Sequence, residues 1–598
     1  MWTFNVGEYI FTLARLVSSV DVWEKSMETK VLESFVGLTR IARNAACYAI
    51  FSAGFLTAFA ANPLTTAFYS ADAAALVHND SLFIFAGHDE QGPQGNNNKA
   101  FIMNDWHVLV TDDMEHYHDY GAVLSVKTFK WANASAFAGH CEYRNGKFYW
   151  YVAIHHGTIR ENGSEGFAIG VAVADHPSGP WKDAIGQALI TDNTPNDVKL
   201  NIDPAIFYDG NDIWMYWGSW NAGRRVKLKE NMIELAGTPE DIKIKDFFEA
   251  PWMHYFRGNY YFSYAAGYPS TTNYSMAPSL NGPWTQKGVI NDKMENSETN
   301  HQAIFKYLGH WYFMYHGANS PGGWTYRRSV NIDYLYYDRD GNIQKVKRTS
   351  GVDPVNNALL DEGGYRLTVS HSNLVLEDND GIVVQQTADE KNESQLWVLA
   401  HGDSARYYTL KNFATGRYYC PPKTLLDTVK TSETACEIRI ENASAKKGYF
   451  LFADYDSDYL GDVLNISKDV GMPVITWVRT GTDNQKVLFA KAELPKVEPP
   501  KDSSNVETPP DSGNGGTTGF AHGSRGSMDA LNAPALLQIH YDASARVIRL
   551  GVDASWTLLD VNGVVVRHGY GREINARSVR SGMYFIRAGR TTAKVMVK

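Results

Sequence analysis

The chain has little that would hold it to nucleic acid or to a bilayer. Its 66 acidic residues outnumber its 56 lysines and arginines, for a net charge of −10, so a polyanion meets no general basic surface. No stretch is long and apolar enough to remain as a transmembrane helix after processing. Cysteine is scarce, with four in 598 residues. Cys47 lies in a segment expected to be removed, Cys141 reads as a lone buried thiol in a strand, and Cys420 and Cys436 stand close enough to pair in an exported protein. No dense Asp/Asn loop of the EF-hand kind occurs, so no metal follows from spacing alone.

Aromatic residues are plentiful, with 16 tryptophans and 34 tyrosines. Most are expected to pack between elements, and the exposed remainder suits the apolar faces of sugar rings. The 44% apolar content supports a large core, and the length corresponds to about four domains of ordinary size.

The organising pattern is a repeat. Asn201–Gly218 joins a short apolar strand carrying Asp203 to an aromatic strand through the turn Asp209-Gly210-Asn211, and Ala71–Gly87, Phe137–Tyr151, Glu249–Tyr264 and Asn300–His316 repeat the plan. Copies at roughly 50 to 65 residues, each a hairpin with a Gly- or Asn-containing turn, predict radially arranged antiparallel blades. The fold class is therefore all-β, with a five-bladed β-propeller over residues 62–350. Aligned on their turns, the copies bring Asp72, Phe137, Asp203, Glu249 and His301 to one position on the first strand of each blade, which lines the central channel. A single Asp near a strand start is usually a turn or cap residue. Three carboxylates in register across five repeats have no local reason to share a position.

Other segments flank the propeller. Arg40-Ile-Ala-Arg43, an apolar run from Ala45 to Phe59 and the closing Ala58-Phe59-Ala60 read as a secretory signal over residues 1–60 with cleavage near Ala60, the competing reading being a buried helix. Residues 365–494 form shorter strands, in which Gln395-Leu-Trp397 and the later Asn484-Gln-Lys-Val-Leu-Phe489 resemble the ricin-type β-trefoil, either a pentosan-binding module or one that buttresses the propeller. Residues 495–526, rich in Pro, Ser, Asp and Gly, read as a flexible linker. The short alternating strands of residues 533–598 resemble the small sorting domain that ends bacterial type IX secretion substrates, with a generic immunoglobulin-like module as the alternative.

Tyr69-Ser-Ala-Asp72, Met103-Asn-Asp-Trp106, Ile202-Asp-Pro204, Phe248-Glu-Ala-Pro-Trp252, Tyr315-His316 and Arg328-Ser-Val330 carry a resemblance to glycoside hydrolase family 43 that covers all five blades. The resemblance implies an inverting hydrolase of plant cell-wall pentosans. It implies Asp72 as general base, Glu249 as general acid and Asp203 as the group that orients the acid and keeps it protonated. Phe137, Trp252, Arg328 and Trp217 would contact the sugar, and His301 would face a central Ca²⁺ or an ordered water. No organic cofactor is implied. The expected activity is exo-acting removal of α-L-arabinofuranosyl residues from arabinoxylan or arabinan by a secreted or cell-surface bacterial monomer. β-Xylosidase and endo-arabinanase activity are the neighbouring readings, and a non-catalytic carbohydrate-binding surface protein is the reading from another class.

Overall fold

The computed structural model describes residues 62–91, 100–157 and 166–495, together with five strands between residues 539 and 597. The expected signal segment 1–60 and nearly all of the expected linker lie outside the described residues. The chain divides into two units, Met1–Val497 and Glu498–Lys598.

The first unit begins with the five-bladed propeller. Blade one is Tyr69–His78, Ser81–Asp89, Asp105–Thr111 and His118–Ser125, hydrogen-bonded in chain order. Blade two starts with Ala134–Arg144, blade three with Ala205–Asp209 and blade four with Glu249–Phe256, and each is again four strands in sequence order. Blade five has three, Gln302–Tyr307, His310–Gly317 and Ser329–Leu335. The first strands neighbour one another around the ring, and the fifth returns to the first.

The hairpins behave as their sequences require. Asn79 and Asp80, Asn145 and Gly146, and Arg257 and Gly258 all take positive φ, the backbone that lets a two-residue turn match the strand twist. The two Gly-Pro-Trp turns are equivalent in the same way: Gly179 and Gly282 have φ +84° and +89°, and a Cβ on either would lie 2.9 Å from the backbone nitrogen of the following tryptophan. Large apolar side chains fill the spaces between blades. Trp106, Trp150 and Trp181 form one such packing with Phe85.

The ring is closed by the start of the described chain. The Leu64 N–H donates to the Val330 carbonyl at 2.9 Å, and the Asn62 side chain accepts from the Ile332 N–H and donates to its carbonyl. The outer edge of the last strand of blade five is therefore covered in part, where it would otherwise be an open template.

Residues 363–491 follow as a connected set of twelve strands. They enclose a core that includes Tyr365, Trp397, Leu410, Ile440 and Val463. Cys420 and Cys436 are disulfide-bonded with Cα atoms 5.5 Å apart, and Cys141 is a buried free thiol. This set is docked on blade five through buried charge. Asp458 accepts from Arg479 Nε at 3.1 Å and pairs with Lys306 Nζ at 2.8 Å. Arg479 Nη2 donates to the Leu335 carbonyl at 2.9 Å, and His310 Nε2 lies 2.8 Å from the Ala443 carbonyl.

The second unit is a five-stranded antiparallel sheet, Ile539–Asp542, Val547–Leu559, Val565–Asn575, Gly582–Ala588 and Thr591–Val597. Its core includes Ile548, Trp556, Leu558, Ile586 and Val597. Among the described residues no helix is long and apolar enough to cross a membrane.

The Lys306–Asp458–Arg479 triad yields a stability prediction. Replacing Asp458 by Ala leaves the buried Arg479 and the largely buried Lys306 without their shared anion and should cost about 3 to 5 kcal/mol. Urea unfolding of Asp458→Ala followed by tryptophan fluorescence measures it. A loss below about 1 kcal/mol would mean that the contact between the propeller and the twelve-stranded set is not held by charge.

Candidate active site

The five positions brought into register by the repeats do converge. Asp72 lies within the first strand of blade one and Phe137 within that of blade two, Asp203 and His301 stand just before those of blades three and five, and Glu249 opens that of blade four. All five line one cavity of about 690 Å³.

The backbone at these positions is not regular strand. Pairing slips between Ala71 and Ala74, between Ala136 and Gly139, and between Glu249 and Trp252, and Asp72, Asp203 and Ala250 take φ of 49°, 59° and 55°. A β-bulge rotates a side chain out of the pleat's alternation. Here bulges or left-handed residues accompany all three acids.

Asp72 is the most heavily liganded of them. Arg328 Nη1 donates to its Oδ1 at 2.7 Å, and His316 Nδ1 lies 3.1 Å from the same oxygen. Arg328 is itself locked, because Nε and Nη2 each donate at 2.8 Å to the two oxygens of Asp89 and its own backbone N–H donates to Asp89 as well. Its guanidinium carbon stands 4.3 Å from the Phe101 ring centre. Burial alone would raise the Asp72 carboxyl, but Arg328 and then His316 outweigh it and hold the group well below the usual carboxylate range.

Among the described residues no cation lies within bonding distance of Glu249, and its Oε2 accepts from Ser219 Oγ at 2.7 Å. Burial, only partly offset by this bond and reinforced by the negative charge of Asp72, pushes its carboxyl up to about 7. Asp203 Oδ2 accepts from the Ala250 N–H at 3.0 Å and so fixes the peptide that follows Glu249. Burial, then the charges of Glu249 and Asp72, raise Asp203 as well. The site thus holds one carboxylate kept ionised and a pair of carboxyls kept partly protonated, the division of labour that acid–base hydrolysis uses.

His301 Nδ1 lies 3.9 Å from Asp72 Oδ1 and 4.0 Å from Asp203 Oδ1, and burial lowers its pKa to about 4, leaving the imidazole neutral. These residues do not make a protein cage for calcium. One nitrogen and two carboxylates, one already paired with Arg328, fall short of the six to eight oxygens the ion takes.

The aromatic walls differ from expectation in two places. Trp217 is fully buried between blades two and three with Met215 and Ile169, and its Nε1 donates to Asn201. It ends the second strand of its blade with its side chain in the blade-to-blade core, away from the channel. Trp252, three residues after Glu249 and beyond the bulge, sits in the contact with blade five, where Nε1 donates to the Ile304 carbonyl and the ring packs on His140. Neither lines the cavity. Phe137 does, stacked on Phe167 with ring centres 4.8 Å apart. Phe101, Trp220, Phe248 and Tyr268 complete the aromatic lining, and Trp220 and Tyr268 are 50% and 57% exposed. They sit outside the repeated hairpins, so no register marked them. Asp89 and Ser219 were also missed. The one signal was Asp89 itself, an acid closing a strand that is mostly apolar.

The family model for glycosyl hydrolases family 43 matches residues 60–343. A xylosidase/arabinosidase of Bacteroides ovatus is 31% identical over 324 residues, covering 47% of this chain and 95% of that protein. An arabinoxylan arabinofuranohydrolase of Bacillus subtilis is 28% identical over 351 residues, covering 50% of this chain and 66% of its own. Among solved structures, a β-xylosidase/α-arabinofuranosidase from a compost microbial metagenome, in complex with xylotriose and in a calcium-free form, is 28% identical with a TM-score of 0.43 over 48% of this chain and 96% of that one.

The raised Glu249 carboxyl has a cost in stability. Its folded pKa, about 7, lies above the ordinary value of 4.5, so between those pH values the folded state holds a proton that the unfolded state has lost. Stability falls as pH rises through that window and levels off above it. Glu249→Gln should therefore raise the melting temperature by a few degrees at pH 8 and leave it unchanged at pH 4. Equal shifts at both pH values would show that the carboxyl is not raised.

Proposed function

Since the chain belongs to glycoside hydrolase family 43 and is a glycoside hydrolase, we propose that it releases α-L-arabinofuranosyl residues from the ends or side branches of arabinoxylan or arabinan with inversion at the anomeric carbon. The observation that carries the mechanism is the opposite electrostatic treatment of Asp72 and Glu249 in one cavity. Asp72, ionised by Arg328, takes the proton from a water as it attacks the anomeric carbon. Glu249, protonated near neutral pH, gives its proton to the departing glycosidic oxygen. Asp203 holds the Ala250 peptide that positions Glu249, and a carboxyl pair cannot easily carry two charges, so the acid stays protonated. The pentose rests in the cavity against the wall formed by Phe101 and Phe137, whose rings touch edge to face, with Tyr268 as a further lining aromatic. β-Xylosidase activity is the second reading, favoured by relatives named for both pentoses.

Export of the protein accounts for the Cys420–Cys436 disulfide, which a reducing cytosol would not maintain. We read the twelve-stranded set as a β-trefoil that braces the propeller. Gln395 and Gln485 support this: both are buried at the same short turn of their segments, and each donates to a backbone carbonyl, of Thr387 and Val478. The C-terminal unit is read as the sorting-like domain.

Hydrolysis of aryl α-L-arabinofuranoside, aryl β-xyloside, arabinoxylan and debranched arabinan decides between the pentoses. Proton NMR of the first product from the arabinofuranoside should show the β anomer before mutarotation, and first appearance of the α anomer would make Asp72 a nucleophile. The pH profile of kcat/KM should lose its alkaline side as Glu249 ionises near 7, while its acid side extends below the usual aspartate range because Asp72 stays charged. A rate that rises through pH 7 would exchange the two roles.

A further inference from the structure

Blade one carries a second constellation, unused by the mechanism above. Its second and third strands pair Ala86 with His107 and Gly87 with Trp106, so the same register sets His88 opposite Asp105 and places His88, Asp105 and His107 on one face of the sheet. His88 Nδ1 lies 2.9 Å from Asp105 Oδ1, and His107 Nε2 lies 3.8 Å from the same oxygen. The three donor atoms all fall within 4.8 Å of one another. A tetrahedral ion with ligands at about 2.0 to 2.1 Å holds them about 3.3 Å apart, so the two measured spacings bracket the required one and only small side-chain movements separate this arrangement from coordination.

A further carboxylate stands behind the cluster. Asp119, from the fourth strand, lies 3.1 and 3.2 Å from His107 Nδ1 through its two oxygens, and the Gly121 N–H donates to it at 2.7 Å. A carboxylate that accepts from one ring nitrogen fixes the proton there and leaves the other nitrogen as a lone pair, the usual support of a metal-ligating histidine. In this chain that other nitrogen, Nε2, is the one facing Asp105. Phe68 stacks on the His107 ring at 4.0 Å and holds its plane. The side chains of His88, Asp105 and His107 are 24%, 23% and 12% exposed, open enough for an ion and its water to enter.

We propose that His88, Asp105 and His107 bind a divalent first-row transition ion, Zn²⁺ in kind, with a solvent water as fourth ligand and Asp119 positioning His107. Two imidazoles and one carboxylate suit that class and not calcium, which favours oxygen throughout. The neighbouring Asp89 turns to the opposite face and grips Arg328, so the site lies one residue along the strand from the catalytic ion pair yet shares no ligand with it.

The test uses the full-length protein freed of metal with a chelator and then titrated with Zn²⁺ alone against a chromogenic competitor, with the melting temperature read in parallel. Binding should be retained in His116→Ala, which disables the exposed Asp113–Glu115–His116 group. It should weaken at least about a hundredfold in His107→Ala and about ten- to a hundredfold in Asp119→Asn. Co²⁺ in place of Zn²⁺ should give the intense visible absorption of a four-coordinate ion in the wild type and lose it in Asp105→Asn, which serves as the second variant if His107→Ala does not fold. Absence of Zn²⁺ binding, binding that survives both His107→Ala and Asp105→Asn, or binding lost in His116→Ala would each overturn the assignment.

Discussion

The buried guanidinium of Arg328 is the group on which the chemistry of this molecule turns. Three carboxyls of similar intrinsic acidity enter one cavity, and burial pushes each of them toward its neutral form. Among the described residues only Asp72 of the three receives a cation, and it is the one driven down. Glu249 receives a neutral hydroxyl and stays high, and Asp203 receives a backbone N–H and stays high. Arg328 can play this part because it has no freedom left. Asp89 takes two of its side-chain donors and its backbone N–H, which leaves Nη1 with one direction in which to point. Its formal charge is shared by two aspartates, so the cluster remains net negative and Asp72 remains a base instead of being neutralised into a spectator.

The same interaction ties catalysis to ring closure. Arg328 immediately precedes the last strand of blade five, whereas Asp72 and Asp89 belong to blade one. The ion pair therefore spans the seam where the propeller closes, alongside the hydrogen bonds of Asn62 and Leu64 to that strand. The seam also bears the cost of the left-handed backbone at Asp72, one of three such residues beside the acids, each worth about 1 to 3 kcal/mol of local strain. A closed ring of five packed blades fixes those residues from both sides in a way that an open sheet would not.

What could be read in the sequence follows from which residues belong to the repeat. The five channel positions were legible because each copy measures its own distance to its own turn, and Asp72, Phe137, Asp203, Glu249 and His301 do meet at one cavity. Arg328 was legible only through its motif. The bulges were invisible, because pairing slips are set by the partner strand. Trp217 misled for a related reason: an aromatic strand end looks the same in sequence whether it faces a blade core or a channel. Phe101, Trp220 and Tyr268 lie in connecting segments whose paths the hairpin register does not describe.

The change of texture after residue 360 reads as a module boundary, yet the contact there is of a kind that tethered modules seldom make. Asp458 and Arg479 are buried and Lys306 is nearly so, and they come from sequence positions with nothing local to connect them, so no sequence pattern announces the triad. Blade five has three strands where the others have four. Its outer strand is covered in part by Asn62–Leu64, and its final carbonyl, on Leu335, accepts from Arg479. Burying three charges is expensive unless every partner is present, so this arrangement is stable only with the twelve-stranded set in place. That set therefore adds its own contacts to the short blade, at Lys306, at His310 and at the end of the strand that begins beside Arg328.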